Sequence, residues 1–205
     1  MSQSPEPNKG FSLCVFCGSR SGTDPDFEIF ASKLGEAMAQ SNIKLVYGGG
    51  SVGLMGAVSD AILNHGGQAL GVIPKFLNDR EIGHQSAEMV VVPDMHSRKR
   101  VMFEHSDAFC ILPGGIGTLE EFLEIITWRQ LSVHHKPVIL ANWKGYWDNL
   151  VALAEAVNDG GFGYGSTEEL FTTVHSVTDI LPNIRQKLAD LQSTPSIKHP
   201  NLSET

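Results

Sequence analysis

Ala108-Phe109-Cys110-Ile111-Leu112-Pro113-Gly114-Gly115-Ile116-Gly117-Thr118-Leu119-Glu120-Glu121 is the stretch that decides the fold. An unbroken apolar run of this length suits a strand buried on both faces. Proline and glycines then interrupt it, and Leu119, Phe122, Leu123 and Ile126 recur at helical spacing. The order is strand, glycine turn and helix N-terminus, which reads as a phosphate cradle. Glycines let backbone N–H groups approach an anion closely, and the first helical turn supplies unpaired donors and a partial positive charge. Glu121 is anomalous there, because a carboxylate beside a bound phosphate repels it. One reading pairs it with Thr118, three residues earlier, as a capping box. The other, favoured by the glycine density, gives it chemistry.

Outward from this stretch, short apolar runs alternate with helical periodicity. Strands are expected at 13–16, 44–47, 69–73, 89–92, 108–112 and 137–141, with a short one at 171–174. Helices are expected at 52–64, 95–106, 118–131, 146–157 and 177–191. An earlier helix opens with Asp24 as cap and Pro25 at its first position, and carries Phe27, Phe30, Ala31, Leu34 and Met38 on one face. The alternation implies an α/β fold, a Rossmann-like doubly wound parallel sheet with helices on both faces and ligands at the carboxyl ends of the strands. Residues 74–87 carry mixed charges and no period, so a loop over the strand ends is expected. A single domain over 11–191 is expected between flexible tails at 1–10 and 192–205.

The 205 residues are 41% hydrophobic, enough for a full core. The formal charge of -8 repels phosphodiester backbones, and basic residues are scattered apart from Arg98-Lys99-Arg100, so no nucleic-acid partner is expected. No apolar stretch approaches the ~20 residues of a membrane helix, and the first ten residues contain no signal-peptide core, which implies a cytoplasmic protein with no membrane partner. The cysteine count of 3 suits a reducing compartment. Cys14 and Cys17 lie three apart on a strand and point to opposite faces, so core packing is expected instead of a dithiol or metal site. His65, His84, His96, His105, His134 and His135 form no ligand spacing, so no metal is expected. No nucleophile elbow is present either.

Gly48-Gly49-Gly50-Ser51-Val52-Gly53 follows the second strand and is open to two readings, ligand contact or tight turn. Gly18-Ser19 after the first strand has the same status, and with 113–118 these turns can line one crevice. Arg98 shares a helix face with Met95 and Met102, so its guanidinium either snorkels over core or points into a pocket. The helix after Thr118 has a core face of Leu119, Phe122, Leu123 and Ile126, yet also carries Ile125 and Trp128. That extra apolar surface argues for a homodimer with its seam along this helix, Glu121 and Thr127 lying near it; the alternative packs Trp128 under its own chain.

Pro113-Gly114-Gly115-Ile116-Gly117-Thr118-Leu119-Glu120-Glu121, the run Gly48-Gly49-Gly50-Ser51-Val52-Gly53-Leu54-Met55-Gly56 and Met95-His96-Ser97-Arg98-Lys99 together resemble the LONELY GUY family of cytokinin riboside 5'-monophosphate phosphoribohydrolases, often mislabelled lysine decarboxylases. The resemblance spans 11–177. It implies hydrolysis of the N-glycosidic bond of an N6-modified AMP, giving free base and ribose 5-phosphate, with no cofactor. It also implies catalytic roles for Arg98 and Glu121, and substrate contacts from Glu81, Lys99, Gly114, Gly115, Ile116, Gly117, Thr118, Leu119, Glu120 and Thr127. Gly18, Ser19, Gly49, Gly50 and Met95 are further candidate contacts. The segment Asn158-Asp159-Gly160-Gly161-Phe162-Gly163-Tyr164 departs from the family's usual Glu-Gly-Phe-Ile, which leaves base specificity open. Two rivals remain: a non-catalytic nucleotide carrier or sensor of the same fold, and a decarboxylase, for which Lys75 is the attractive lysine.

Overall fold

The computed structural model describes residues 10–78, 84, 86–163 and 166–193. The chain runs β1 (Ser12–Phe16), α1 (Asp26–Gln40), β2 (Lys44–Tyr47), α2 (Gly53–Asn64), β3 (Ala69–Pro74), α3 (Lys75–Asn78), β4 (Glu88–Val92), α4 (Met95–Glu104) and β5 (Ala108–Ile111). It continues with α5 (Ile116–Gln130), β6 (Val138–Ala141), a 3₁₀ turn (Trp143–Gly145), α6 (Asp148–Asp159), α7 (Thr167–Leu170), β7 (Thr172–Val174) and α8 (Val177–Ser193).

The strands form a 7-stranded sheet in the order β4-β3-β2-β1-β5-β6-β7, and every pairing is parallel. Winding outward from β1 to β4 and then returning to β1's other side sends the crossover helices to opposite faces, since such crossovers are right-handed. The pleat of β1 feeds both cores. Leu13, Val15 and Cys17 join Phe30 of α1, Leu54 of α2 and Ile180 of α8. Cys14 and Phe16 join Met102 of α4 and Phe122 of α5. Cys14 and Cys17 therefore serve opposite faces, and burial pushes both thiols up.

Helix ends account for most departures from the sequence reading. Asp24 Oδ1 accepts the Asp26 N–H at 2.9 Å, but Pro25 is the cap residue and α1 begins one position later than expected. Within 74–87 the chain forms α3 directly after β3 instead of a continuous loop. Residues 79–83 and 85 lie outside the described residues, as do 1–9 and 194–205 of the expected tails.

The direction of winding reverses between β1 and β5, where the two chain paths leave for opposite faces. Leu112 N–H donates to Phe16 O at 2.9 Å, and Gly18 N–H donates to Pro113 O at 3.0 Å. Beyond these last bonds the chains part and open a crevice at the carboxyl edge, where doubly wound sheets bind ligands.

Candidate active site

The turn after β1 is fixed from behind. Gly18 O accepts from Leu54 N–H at 3.1 Å and Met55 N–H at 3.3 Å, closing the start of α2. Gly53 has φ +62, and a Cβ there would lie 2.5 Å from both Ser19 C and Arg20 N. Gly53 is therefore a packing device. Gly49, at φ +80, packs on Met89 and Ile73.

Helix α5 begins at Ile116, with Gly115 as an N-cap that has no capping side chain. Thr118 is thus the third helical residue and cannot cap the helix, so the Thr118–Glu121 capping box does not form. The N–H groups at 116–118 have no partner inside the helix. Gly115 and Gly117 face open space, since a Cβ on either would meet nothing within 4 Å. Gly114 is different: a Cβ there would overlap the Thr118 side chain. The Tyr146 hydroxyl donates to Gly114 O at 2.7 Å and holds the turn from the β6 side.

Arg98 and Glu121 meet beneath this helix start. Asp94 caps α4 by accepting Ser97 N–H at 2.7 Å, which sets Arg98 one turn in, across the ends of β2 and β3. Arg98 Nε donates to Val72 O at 3.1 Å and Nη2 to Gly48 O at 3.2 Å, while Nη1 lies 3.7 Å from Glu121 Oε1. A Cβ at Gly48 would overlap the guanidinium, so glycine there leaves room for this placement of Arg98. Glu121 is only 7% exposed. Burial pushes its carboxyl up to about 7, although Arg98 and Lys99 pull it down. A carboxyl poised near neutrality can hold or release a proton in the working pH range.

The comparisons with known proteins bear on this arrangement. A family model described as "possible lysine decarboxylase" matches residues 55–184. One cytokinin riboside 5'-monophosphate phosphoribohydrolase of Arabidopsis thaliana is 45% identical, covering 84% of this chain and 81% of the relative. A second from the same plant is 52% identical, covering 73% and 70%. The chain belongs to this phosphoribohydrolase family. Among solved structures, the molybdenum cofactor carrier protein of Chlamydomonas reinhardtii superposes with a TM-score of 0.66 at 20% identity, covering 89% of this chain and 99% of that one. The molybdenum cofactor binding protein of Rippkaea orientalis gives 0.66 at 20%, covering 88% and 98%. At that identity the likeness shows the fold alone.

Many of the residues that the sequence and the family resemblance single out line one cavity of about 540 Å³. The turn residues Gly18 and Ser19 line it, as do Met95 and Arg98 of α4. Gly114 through Thr118, Glu120 and Glu121 complete that set. Others do not reach it. Lys99 is spent in an ion pair, its Nζ lying 2.5 Å from Glu120 and 2.9 Å from Glu124, so it ties α4 to α5 instead of lining the cavity. Gly49 and Gly50 are buried outside the lining, whereas Gly48 of the same run and Leu54 and Met55 after it line the cavity. Leu119 and Thr127 fall in a separate shallow groove with Leu123 and Trp128, and the Thr127 hydroxyl donates to Leu123 O at 2.6 Å. Glu81 lies outside the described residues.

The apolar faces of α5 are also redistributed. Ile125 is buried in its own chain's core, and Trp128 packs edge-on against Phe103 at 5.2 Å while still reaching the groove, so of the two only Trp128 is part of the outer surface. Leu123, expected in the core, is 47% exposed, and Ile116 is 80% exposed. Phe27, Tyr146 and Arg20 also line the cavity and were not singled out by sequence. Phe27 was hidden in a regular core-face pattern, and its edge contact with Tyr146 at 5.3 Å joins elements far apart in sequence. The run Gly18-Ser19-Arg20-Ser21-Gly22 after a strand was the available signal for Arg20.

Proposed function

We propose that the protein hydrolyses the N-glycosidic bond of cytokinin riboside 5'-monophosphates, releasing the N6-modified adenine and ribose 5-phosphate. The observation that carries this reading is the buried Arg98–Glu121 pair in the cavity below a free helix N-terminus, in a chain 45% identical to such an enzyme. The α5 N–H groups and the Thr118 hydroxyl hold the 5'-phosphate, so that binding remote from the scissile bond fixes the ribose. Glu121, one turn along, faces the sugar. As carboxylate it stabilises an oxocarbenium-like centre at C1' and orients and deprotonates the attacking water. Arg98 stays protonated, so it is no general acid; it stabilises charge that develops as the bond to the base breaks. Three buried, free cysteines suit a reducing cytoplasm. A decarboxylase needs a lysine in the cavity, whereas Lys75 is exposed at the start of α3 and no lysine lines the cavity among the described residues.

The cradle makes the reaction depend on the phosphate. The riboside is expected to have a kcat/KM at least about 10²-fold below that of its monophosphate, since it loses both orientation and affinity. Equal values for the two, measured by free-base release, exclude an anchoring role for 114–118.

A homodimer seam along α5 is part of the same proposal, now carried by Leu123 and Ile116 beside the Leu119–Trp128 groove. Burying that surface contributes at ~25 cal/mol per Å² and keeps the active site next to the partner chain. Leu123→Glu is expected to give a monomer in light scattering, with turnover falling alongside. A wild-type monomer that is active contradicts the dimer.

A further inference from the structure

The cavity contains two arginines in opposite electrostatic situations. Arg98 is committed: its guanidinium donates to Val72 O and Gly48 O and sits 3.7 Å from Glu121. Arg20 lines the same cavity from the turn after β1, is exposed, and its side chain has no ion pair or hydrogen bond among the described residues. The acidic residues that follow it in sequence do not neutralise it either. Asp24 and Asp26 are both held by Lys144 Nζ, at 2.9 and 2.6 Å.

The backbone that carries Arg20 is locked beside the α5 cradle. Gly18 N–H is bonded to Pro113 O, Gly18 O takes two N–H groups of α2, and Gly53 packs directly on Ser19 and Arg20. A Cβ on Gly18 would lie 3.0 Å from Arg20 O and 3.4 Å from Gly114 Cα, so the Arg20 turn rests on the first residues of the cradle. The turn that carries Arg20 and the N-terminus of α5 thus border the same cavity side by side, in a chain whose net charge is -8. The carboxylates of the same cavity, Glu120 and Glu121, are paired with Lys99 and Arg98, so among the described residues these two positive features stay unpaired and suit a phosphomonoester dianion.

We propose that Arg20 is a second anchor for the substrate's 5'-phosphate, gripping it against the N–H groups of α5. The assignment rests on reading the site as a nucleotide hydrolase. It also orients the substrate: phosphate toward the ends of β1 and β5, C1' at Glu121, and base toward Met95 and Leu77, which line the cavity from α4 and α3. Arg98, already paired with a carboxylate, is left to act on the sugar end.

The test compares Arg20→Ala and Arg20→Lys with wild type, using isopentenyladenosine 5'-monophosphate, the matching riboside, and ribose 5-phosphate binding by calorimetry. Arg20→Ala is expected to raise KM for the monophosphate roughly tenfold to a hundredfold, the worth of one charge-assisted contact. Ribose 5-phosphate affinity should fall by the same factor, Arg20→Lys should recover most of both, and the penalty on the riboside should be smaller by about tenfold. Unchanged KM and unchanged ribose 5-phosphate affinity in Arg20→Ala overturn the anchor, as does a loss confined to kcat. Failure of the hydrolase reading looks different. The wild type then releases no base from any nucleotide, and calorimetry with ribose 5-phosphate still decides Arg20.

Discussion

Glu121→Gln is expected to lower kcat for the nucleoside monophosphate by about 10² to 10³-fold, because the amide cannot take a proton from water or oppose positive charge at C1'. The same substitution should not weaken the fold. Burial raises the Glu121 carboxyl from its ordinary value of 4.5 to about 7, so the folded state prefers it neutral. Its favourable contribution is complete below about pH 4.5 and is lost as pH rises through 7, where the buried group must ionise. At pH 8 the glutamine variant, which mimics the neutral form, should melt no lower than wild type. A variant that keeps near-wild-type turnover removes Glu121 from the mechanism. One that melts well below wild type at pH 8 gives the side chain a structural role instead.

Arg98→Ala is expected to cost a similar factor in kcat and to leave a distinct mark on the pH profile. Arg98 is the largest influence holding the Glu121 carboxyl down, against the burial that pushes it up. Without it the acid limb of kcat/KM, which follows ionisation of the free enzyme, should move to higher pH. The limb therefore shifts alkaline in Arg98→Ala and is absent from the residual activity of Glu121→Gln. A drop in rate with the limb unmoved shows that the two groups do not communicate at 3.7 Å, and the pair as drawn here fails.

The inner strands were legible because each is a short continuous apolar run buried on both faces, such as Leu70 to Ile73 of β3 and Ala108 to Ile111 of β5, whereas the edge strands β4 and β7 are only partly buried. Helix boundaries were less so, because Thr118 looks like a cap while Gly115, with no side chain to signal it, takes that position. The faces of α5 misled for a related reason. Leu123 and Ile125 are equally apolar in sequence, and only the packing of α5 on one face of the sheet buries Ile125 and leaves Leu123 outside. Arg98 and Glu121, which meet in the cavity, both lie in motifs that are contiguous in sequence. For Lys99 the family resemblance implies a substrate contact, whereas Glu120 and Glu124 hold it across a helix interface that no spacing encodes. Tyr146 enters the cavity through a hydrogen bond to Gly114, 32 positions away, and periodicity carries no information about such a contact.

Cleavage of the N-glycosidic bond is tested directly by one incubation. Purified protein is mixed separately with isopentenyladenosine 5'-monophosphate, AMP, isopentenyladenosine and lysine, and the products are separated and weighed against one another. Equimolar isopentenyladenine and ribose 5-phosphate are expected from the modified monophosphate, with far less base from the riboside and no cadaverine from lysine. Recovery of every nucleotide intact, with or without tight binding, contradicts that cleavage.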